Sequence, residues 1–214
     1  MNISEMMKRL ERIITSPVVP WLAKSKLTPD ILTWSGLVLT IVTASVIAAG
    51  NLFLGGFLVL LSGFFDMMDG SLARFTNKST KFGAFLDSTV DRFSEALLLL
   101  GLLIYYLGIN RQELLAGAIS FGDETAFAAL LIFVVLTFSF LTSYTRARAE
   151  GLGVDCQVGV FPRAGRVILL ALGLIFNLIL WALIVIALLG FITVIQRMVH
   201  VWKHAGKSGT VDHE

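Results

Sequence analysis

Long apolar runs separated by short polar links restrict what this chain can fold into more than any other feature. The runs are Ile31–Ala49, Leu52–Phe75, Phe82–Leu107, Ala126–Arg148, Val167–Phe176 and Leu178–Ile195, the last two parted at Asn177. A helix needs about 20 apolar residues to cross the hydrocarbon core of a bilayer. Backbone polar groups in lipid must be satisfied within the segment, which makes these runs helices. With 56% hydrophobic residues and a mean hydropathy of +0.83, an ordinary soluble domain is excluded. The expected fold class is all-α integral membrane, with six transmembrane helices and an N-terminal amphipathic juxtamembrane helix.

The segments around the runs agree with this. Ile3, Met6, Met7, Leu10, Ile13 and Ile14 recur at helical spacing, with Lys8, Arg9, Glu11 and Arg12 between them. Residues 2–24 therefore read as a helix lying in the membrane interface. The same charges stand where a signal peptide would need an apolar core. Thr28-Pro29-Asp30 is a helix start, with proline and an acid at early positions. Gly50-Asn51 is a tight turn. The expected organisation is an interfacial segment over 1–27, a six-helix transmembrane domain over 28–202 and a cytoplasmic tail over 203–214. Cys156 is the only cysteine, so no internal disulfide can form.

Six spans place both termini on one side, and the charges test this. Of the 17 basic residues, Arg111 alone falls on the opposite side. The positive-inside rule makes the terminal side cytoplasmic, in a cell membrane. Nothing in the charge pattern points to nucleic acid.

Charge at membrane depth is costly and calls for a functional explanation. Asp66, Asp69, Gly70 and Ala73 share one face of the second run, at i, i+3, i+4 and i+7. Gly83, Asp87 and Asp91 share one face of the third, at i, i+4 and i+8. A short loop joins the two runs, so they are expected as antiparallel neighbours whose acidic faces meet. Four crowded carboxylates need a positive partner. Oxygen ligands without nearby His or Cys favour Mg²⁺ or Mn²⁺ over zinc, and four acids can hold two ions that clamp a diphosphate. Arg74 is placed to grip a phosphate. Taken singly, one of these acids reads as an interfacial helix-end charge and Arg74 as a snorkelling anchor. Arg92 reads as an ion-pair partner. Glu95 extends the Asp87/Asp91 stripe one turn deeper and is not assigned to metal.

The spacing Asp66-x2-Asp69-Gly70-x2-Ala73-Arg74-x8-Gly83-x3-Asp87-x3-Asp91 resembles the signature of the CDP-alcohol phosphotransferase family at every position. The resemblance implies an enzyme that passes the phosphatidyl group of a CDP-diacylglycerol-type lipid, or an archaetidyl counterpart, to an alcohol and releases CMP. It implies Asp66, Asp69, Asp87 and Asp91 as ligands of two ions, and Asp91 also as the general base. It implies donor contacts at Asp66, Asp69, Gly70, Ala73, Arg74, Gly83 and Asp87, at Asp30, Ile31, Leu32 and Thr33 where the first span begins, and at Thr80. The family is commonly homodimeric. No Ser, Cys or His nucleophile presents itself, so direct displacement is expected.

The remaining cytoplasmic arginines bear on the acceptor. Ser143 and Arg146 lie in a Ser-Tyr-x-Arg-Ala-Arg-Ala-Glu run that closes the fourth span. Arg163 and Arg166 open the fifth, and Arg197 closes the sixth. Any one of them reads as a helix-end anchor. Together, beside a metal site, they suggest a polyol phosphate, which arginine binds through paired hydrogen bonds. This set is similar to the prokaryotic phosphatidylinositol-phosphate synthase branch, archaeal members included, whose acceptor is inositol 1-phosphate. Glycerol 3-phosphate is the alternative acceptor. In another class, a divalent-metal carrier would also place acids within the membrane. The gathering of the acids at one end, with Arg74 among them, speaks against it.

Overall fold

The structure, a computed structural model, describes residues 15–24, 28–76, 80–109, 115 and 123–205. Among these there are seven helices and no strand. They are α1 (Val19–Lys24), α2 (Pro29–Ala48), α3 (Leu52–Phe75), α4 (Lys81–Ile109), α5 (Glu124–Gly151), α6 (Arg163–Ile175) and α7 (Ile179–Ala205). Five of them, α2, α3, α4, α5 and α7, are long and apolar enough to cross a membrane. The protein is thus an all-helical, multi-pass membrane type. The helix expected over 2–24 is described only from residue 15, and residues 2–14 lie outside the described residues.

The helix ends follow local chemistry. Thr28 caps α2 with its hydroxyl on the Ile31 N–H, and Pro29 occupies the first turn, where its missing N–H costs nothing. The α2–α3 turn needs the left-handed backbone of Gly50, at φ +87°. The α6–α7 turn puts Asn177 at φ 56°, the expected break. α7 continues ten residues past the predicted apolar limit at Ile195, to Ala205.

Which helices touch differs from the sequence expectation in one respect. The two acid-bearing helices, α3 and α4, meet at their aspartates, but each packs more extensively against α2. α2 lies against both of them, and α6 packs against α3. The close approaches are made by small residues. A Cβ on Gly101 of α4 would stand 2.5 Å from the Ala44 carbonyl of α2, and one on Gly56 of α3 would stand 2.8 Å from the Ala171 carbonyl of α6. The larger core lies deep in the bundle around Val59, Leu99, Leu102, Ile132, Leu174 and Leu183. A smaller one sits at the acidic end, where α1 buries Val19 and Leu22 against Leu32, Met68 and Leu72.

Candidate active site

The candidate site lies where the aspartates of α3 and α4 come together. A cavity of about 40 Å³ opens there, with room for ordered water. Its mouth is polar, lined by Thr33, Asp66, Asp69 and Arg163. Glu95 and Arg166 also line the cavity, together with apolar residues such as Leu98, Leu99, Val135 and Ile186.

Asp66 reaches across from α3, and Asp87 and Asp91 from α4. One oxygen of each carboxylate lies within 4.8 Å of the others. Three partly buried carboxylates at that spacing repel one another and favour a bound cation. An all-oxygen donor set suits a hard divalent ion, so these residues fit Mg²⁺ or Mn²⁺. Asp69 stands beside this cluster rather than in it. It is 4% exposed. Its Oδ2 accepts the Thr33 hydroxyl at 2.6 Å and its Oδ1 accepts the Gly70 N–H at 2.6 Å.

The other residues expected to contact the donor gather at the same end. Thr80 receives the Gly83 N–H on its hydroxyl at 2.9 Å and so caps α4. A Cβ on Gly83 would lie 3.7 Å from Asp30 Oδ1, so the starts of α2 and α4 meet here. The Arg74 guanidinium reaches back over Gly70, 3.6 Å from where a Cβ would be, and donates to Ser71 at 3.1 Å. Ala73 is partly buried, Leu32 is buried against α1, and Ile31 is exposed.

The arginines scatter more than their sequence positions suggest. Arg163 Nη1 bridges Asp66 and Asp91, paired with Asp66 Oδ2 and 2.6 Å from Asp91 Oδ1. Arg166 turns inward and grips both oxygens of Glu95 at 2.7 and 3.1 Å. Arg197 donates to the carbonyl oxygens of Val158, at 3.0 Å, and Thr142. Arg146 turns along its own helix to Glu150 at 2.8 Å, and Ser143 is partly buried. Arg92 lies 3.5 Å from Asp91 Oδ2 and donates to the Ser88 carbonyl.

Sequence reasoning missed Thr142. Its hydroxyl accepts from Arg166 at 3.5 Å while its carbonyl accepts from Arg197, so it ties α6 and α7 to α5. The available signal was polar Ser139 and Thr142, one turn apart inside the apolar run of α5.

The Glu95–Arg166 pair is almost wholly buried, with side chains 12% and 6% exposed. Glu95→Gln leaves the Arg166 charge uncompensated at membrane depth. It is expected to cost about 3 kcal/mol, read as a lower denaturation midpoint in detergent. The double replacement Glu95→Leu with Arg166→Met is expected to recover most of that loss. A single variant as stable as the parent would show that the pair contributes nothing.

The model of the CDP-alcohol phosphatidyltransferase family matches residues 26–202. The chain belongs to the CDP-alcohol phosphatidyltransferase family. It is an enzyme of phospholipid biosynthesis that uses a CDP-linked lipid. The archaetidylinositol phosphate synthase of Methanothermobacter thermautotrophicus is 34% identical over 204 residues, covering 92% of this chain and 95% of that protein. The phosphatidylinositol phosphate synthase of Cutibacterium acnes is 32% identical over 203 residues, covering 88% and 92%. The crystal structure of the Mycobacterium tuberculosis phosphatidylinositol phosphate synthase with CDP-DAG bound superposes with a TM-score of 0.77 at 28% identity, covering 94% of this chain and 100% of that one. The same mycobacterial enzyme in complex with manganese and citrate superposes with a TM-score of 0.76, at 28% identity and 92% and 93% coverage. The aspartate cluster of this chain suits a divalent cation, and the manganese complex is of a structurally similar protein.

Proposed function

We propose that the chain transfers a phosphatidyl or archaetidyl group from a CDP-linked lipid to inositol 1-phosphate, releasing CMP. The observation that carries this reading is the meeting of Asp66, Asp87 and Asp91 in a membrane bundle, with Arg163 set among them. The four aspartates hold two ions, Mg²⁺ or Mn²⁺. Asp69 completes the set, since its carboxylate has lone pairs beyond its two hydrogen bonds. The bound cations supply charge neutralisation on the donor diphosphate. Arg74, Gly70, Ala73, Thr80 and Gly83, with the start of α2 from Asp30 to Thr33, shape the CDP subsite. Asp91 takes the proton of the acceptor hydroxyl. That oxygen bonds to the lipid-side phosphorus, and the bond from phosphorus to the bridging oxygen breaks, so CMP departs.

Ser143, Arg146, Arg163, Arg166 and Arg197 form the border that receives the acceptor phosphate. Arg163 and Arg146 present guanidinium groups there. Arg166 and Arg197 act from behind, tied to Glu95 and to the Val158 and Thr142 carbonyls. The inositol phosphate reading draws on relatives named for that product in an archaeon and in actinobacteria.

The chain crosses the membrane six times, as a domain over 28–202 with both termini and the acidic end cytoplasmic. α6 is the short crossing. Its 13 residues span roughly 20 Å at 1.5 Å per residue, and it packs against α3 and α7. The support for the orientation is the basic residues gathered on one side. The support for a homodimer is the family pattern.

The test is CMP release from CDP-diacylglycerol by the full chain in liposomes with Mg²⁺ or Mn²⁺. Inositol 1-phosphate, glycerol 3-phosphate, serine and free inositol are compared as acceptors. The highest kcat/KM is expected with inositol 1-phosphate. Release with glycerol 3-phosphate alone would make the protein a phosphatidylglycerophosphate synthase, and no release with any acceptor would end the assignment.

A further inference from the structure

We propose that Arg163 is a tethered cation that holds Asp66 and Asp91 in place of a divalent ion. Loading the metal site and freeing Arg163 for an anionic acceptor are then a single coupled event. The inference rests on the reading of Asp66, Asp87 and Asp91 as metal ligands.

The geometry is specific. The Arg163 Nη1 atom contacts carboxylate oxygens from two different helices, Asp66 Oδ2 and Asp91 Oδ1. These two residues, with Asp87, offer the oxygens gathered within 4.8 Å. A guanidinium nitrogen and a divalent ion cannot share those oxygens without close like-charge repulsion. The backbone at Arg163 is held firmly. The loop before it is pinned to α7 by Val160 N–H on Gln196 at 3.0 Å, Phe161 N–H on Thr193 at 3.3 Å and the Val158 carbonyl on Arg197 at 3.0 Å. One turn on, Arg166 clamps α6 to Glu95. Exchange therefore moves the Arg163 side chain and leaves the helix in place.

The energetics favour release in one direction. Arg163 opens α6, whose first turn has no acidic residue. A cation at the positive end of a helix is unfavourable on its own. Arg163 is stable there because Asp66 and Asp91 face it. Once those carboxylates serve a divalent ion, the guanidinium and the α6 N-terminus together favour an anion. Thermodynamic linkage makes the effect reciprocal: acceptor phosphate tightens metal binding by the factor that metal tightens phosphate binding.

Mn²⁺ binding to the purified full chain in detergent, without CDP-lipid, tests this through the electron paramagnetic resonance signal of free Mn²⁺. Arg163→Ala is expected to bind Mn²⁺ about tenfold more tightly than the parent, and Arg163→Lys to fall between them. Inositol 1-phosphate is expected to tighten Mn²⁺ binding in the parent and not in Arg163→Ala. Arg92→Ala controls for general charge removal, because Arg92 lies beside Asp91 without bridging the cluster. Equal or weaker Mn²⁺ binding by Arg163→Ala would overturn the proposal, as would an equal gain from Arg92→Ala. Should Arg163→Ala not fold, no phosphate effect in the parent would overturn it. Failure of the metal reading looks different: no variant, nor the parent, would bind Mn²⁺ at all.

Discussion

Asp91→Asn is expected to lower CMP release by about 10³-fold or more, with the protein still folded and membrane-embedded. General-base catalysis by a positioned carboxylate contributes about 10²- to 10⁴-fold, and an acceptor hydroxyl is a poor nucleophile until its proton leaves. Asparagine matches aspartate in shape but cannot take that proton, and it contributes no charge to the cluster with Asp66 and Asp87. Packing around the position changes little, so the loss falls on kcat rather than on folding. The measurement is turnover at saturating acceptor, with Mn²⁺ affinity determined on the same preparation. Turnover within tenfold of the parent would remove Asp91 from the role of base.

Stripping divalent cations with EDTA is expected to bring CMP release to background without unfolding the bundle. The asymmetry has a local cause. The reaction needs a cation at the donor diphosphate, whereas the fold has an internal substitute, since Arg163 pairs with Asp66 and Asp91. Asp66 and Asp91 therefore keep a cationic partner when metal is removed, and the deep core around Leu99, Leu102 and Leu183 is untouched. Mg²⁺ or Mn²⁺ is expected to restore full activity, and Ca²⁺ little, because it prefers more ligands at longer distances. The check pairs an activity titration with a thermal melt in detergent. Activity that survives exhaustive chelation would overturn the metal requirement. A collapse of the melt would show that Arg163 does not substitute for the ion.

Much of the architecture was legible because helical periodicity is local. The apolar run Leu52–Phe75 coincides with α3, and the break expected at Asn177 is a left-handed turn. Asp87 and Asp91 share a face, as their spacing of four requires, and Asp66 meets them. Three other relations were not legible. The packing of α2 against both acid-bearing helices depends on close approaches such as Gly101 to the Ala44 carbonyl, which no periodicity reports. Asp69 shares the Asp66 stripe by spacing, yet Thr33, 36 residues earlier, draws its carboxylate into a separate hydrogen bond. The sequence puts the arginines near helix ends expected on one side, and that does not say which acid or carbonyl a long flexible side chain will find.

The sequence by itself determined the membrane class, the approximate placement of the long apolar helices and the two acidic stripes, because each follows from side-chain spacing within a single helix. Only the tertiary structure decided how those charges are neutralised. Asp66 pairs with Arg163, 97 residues away, and Glu95 with Arg166, 71 residues away. Such pairs depend on which helices the packing brings side by side, and apolar faces of similar composition leave that choice open until small residues and long side chains settle it.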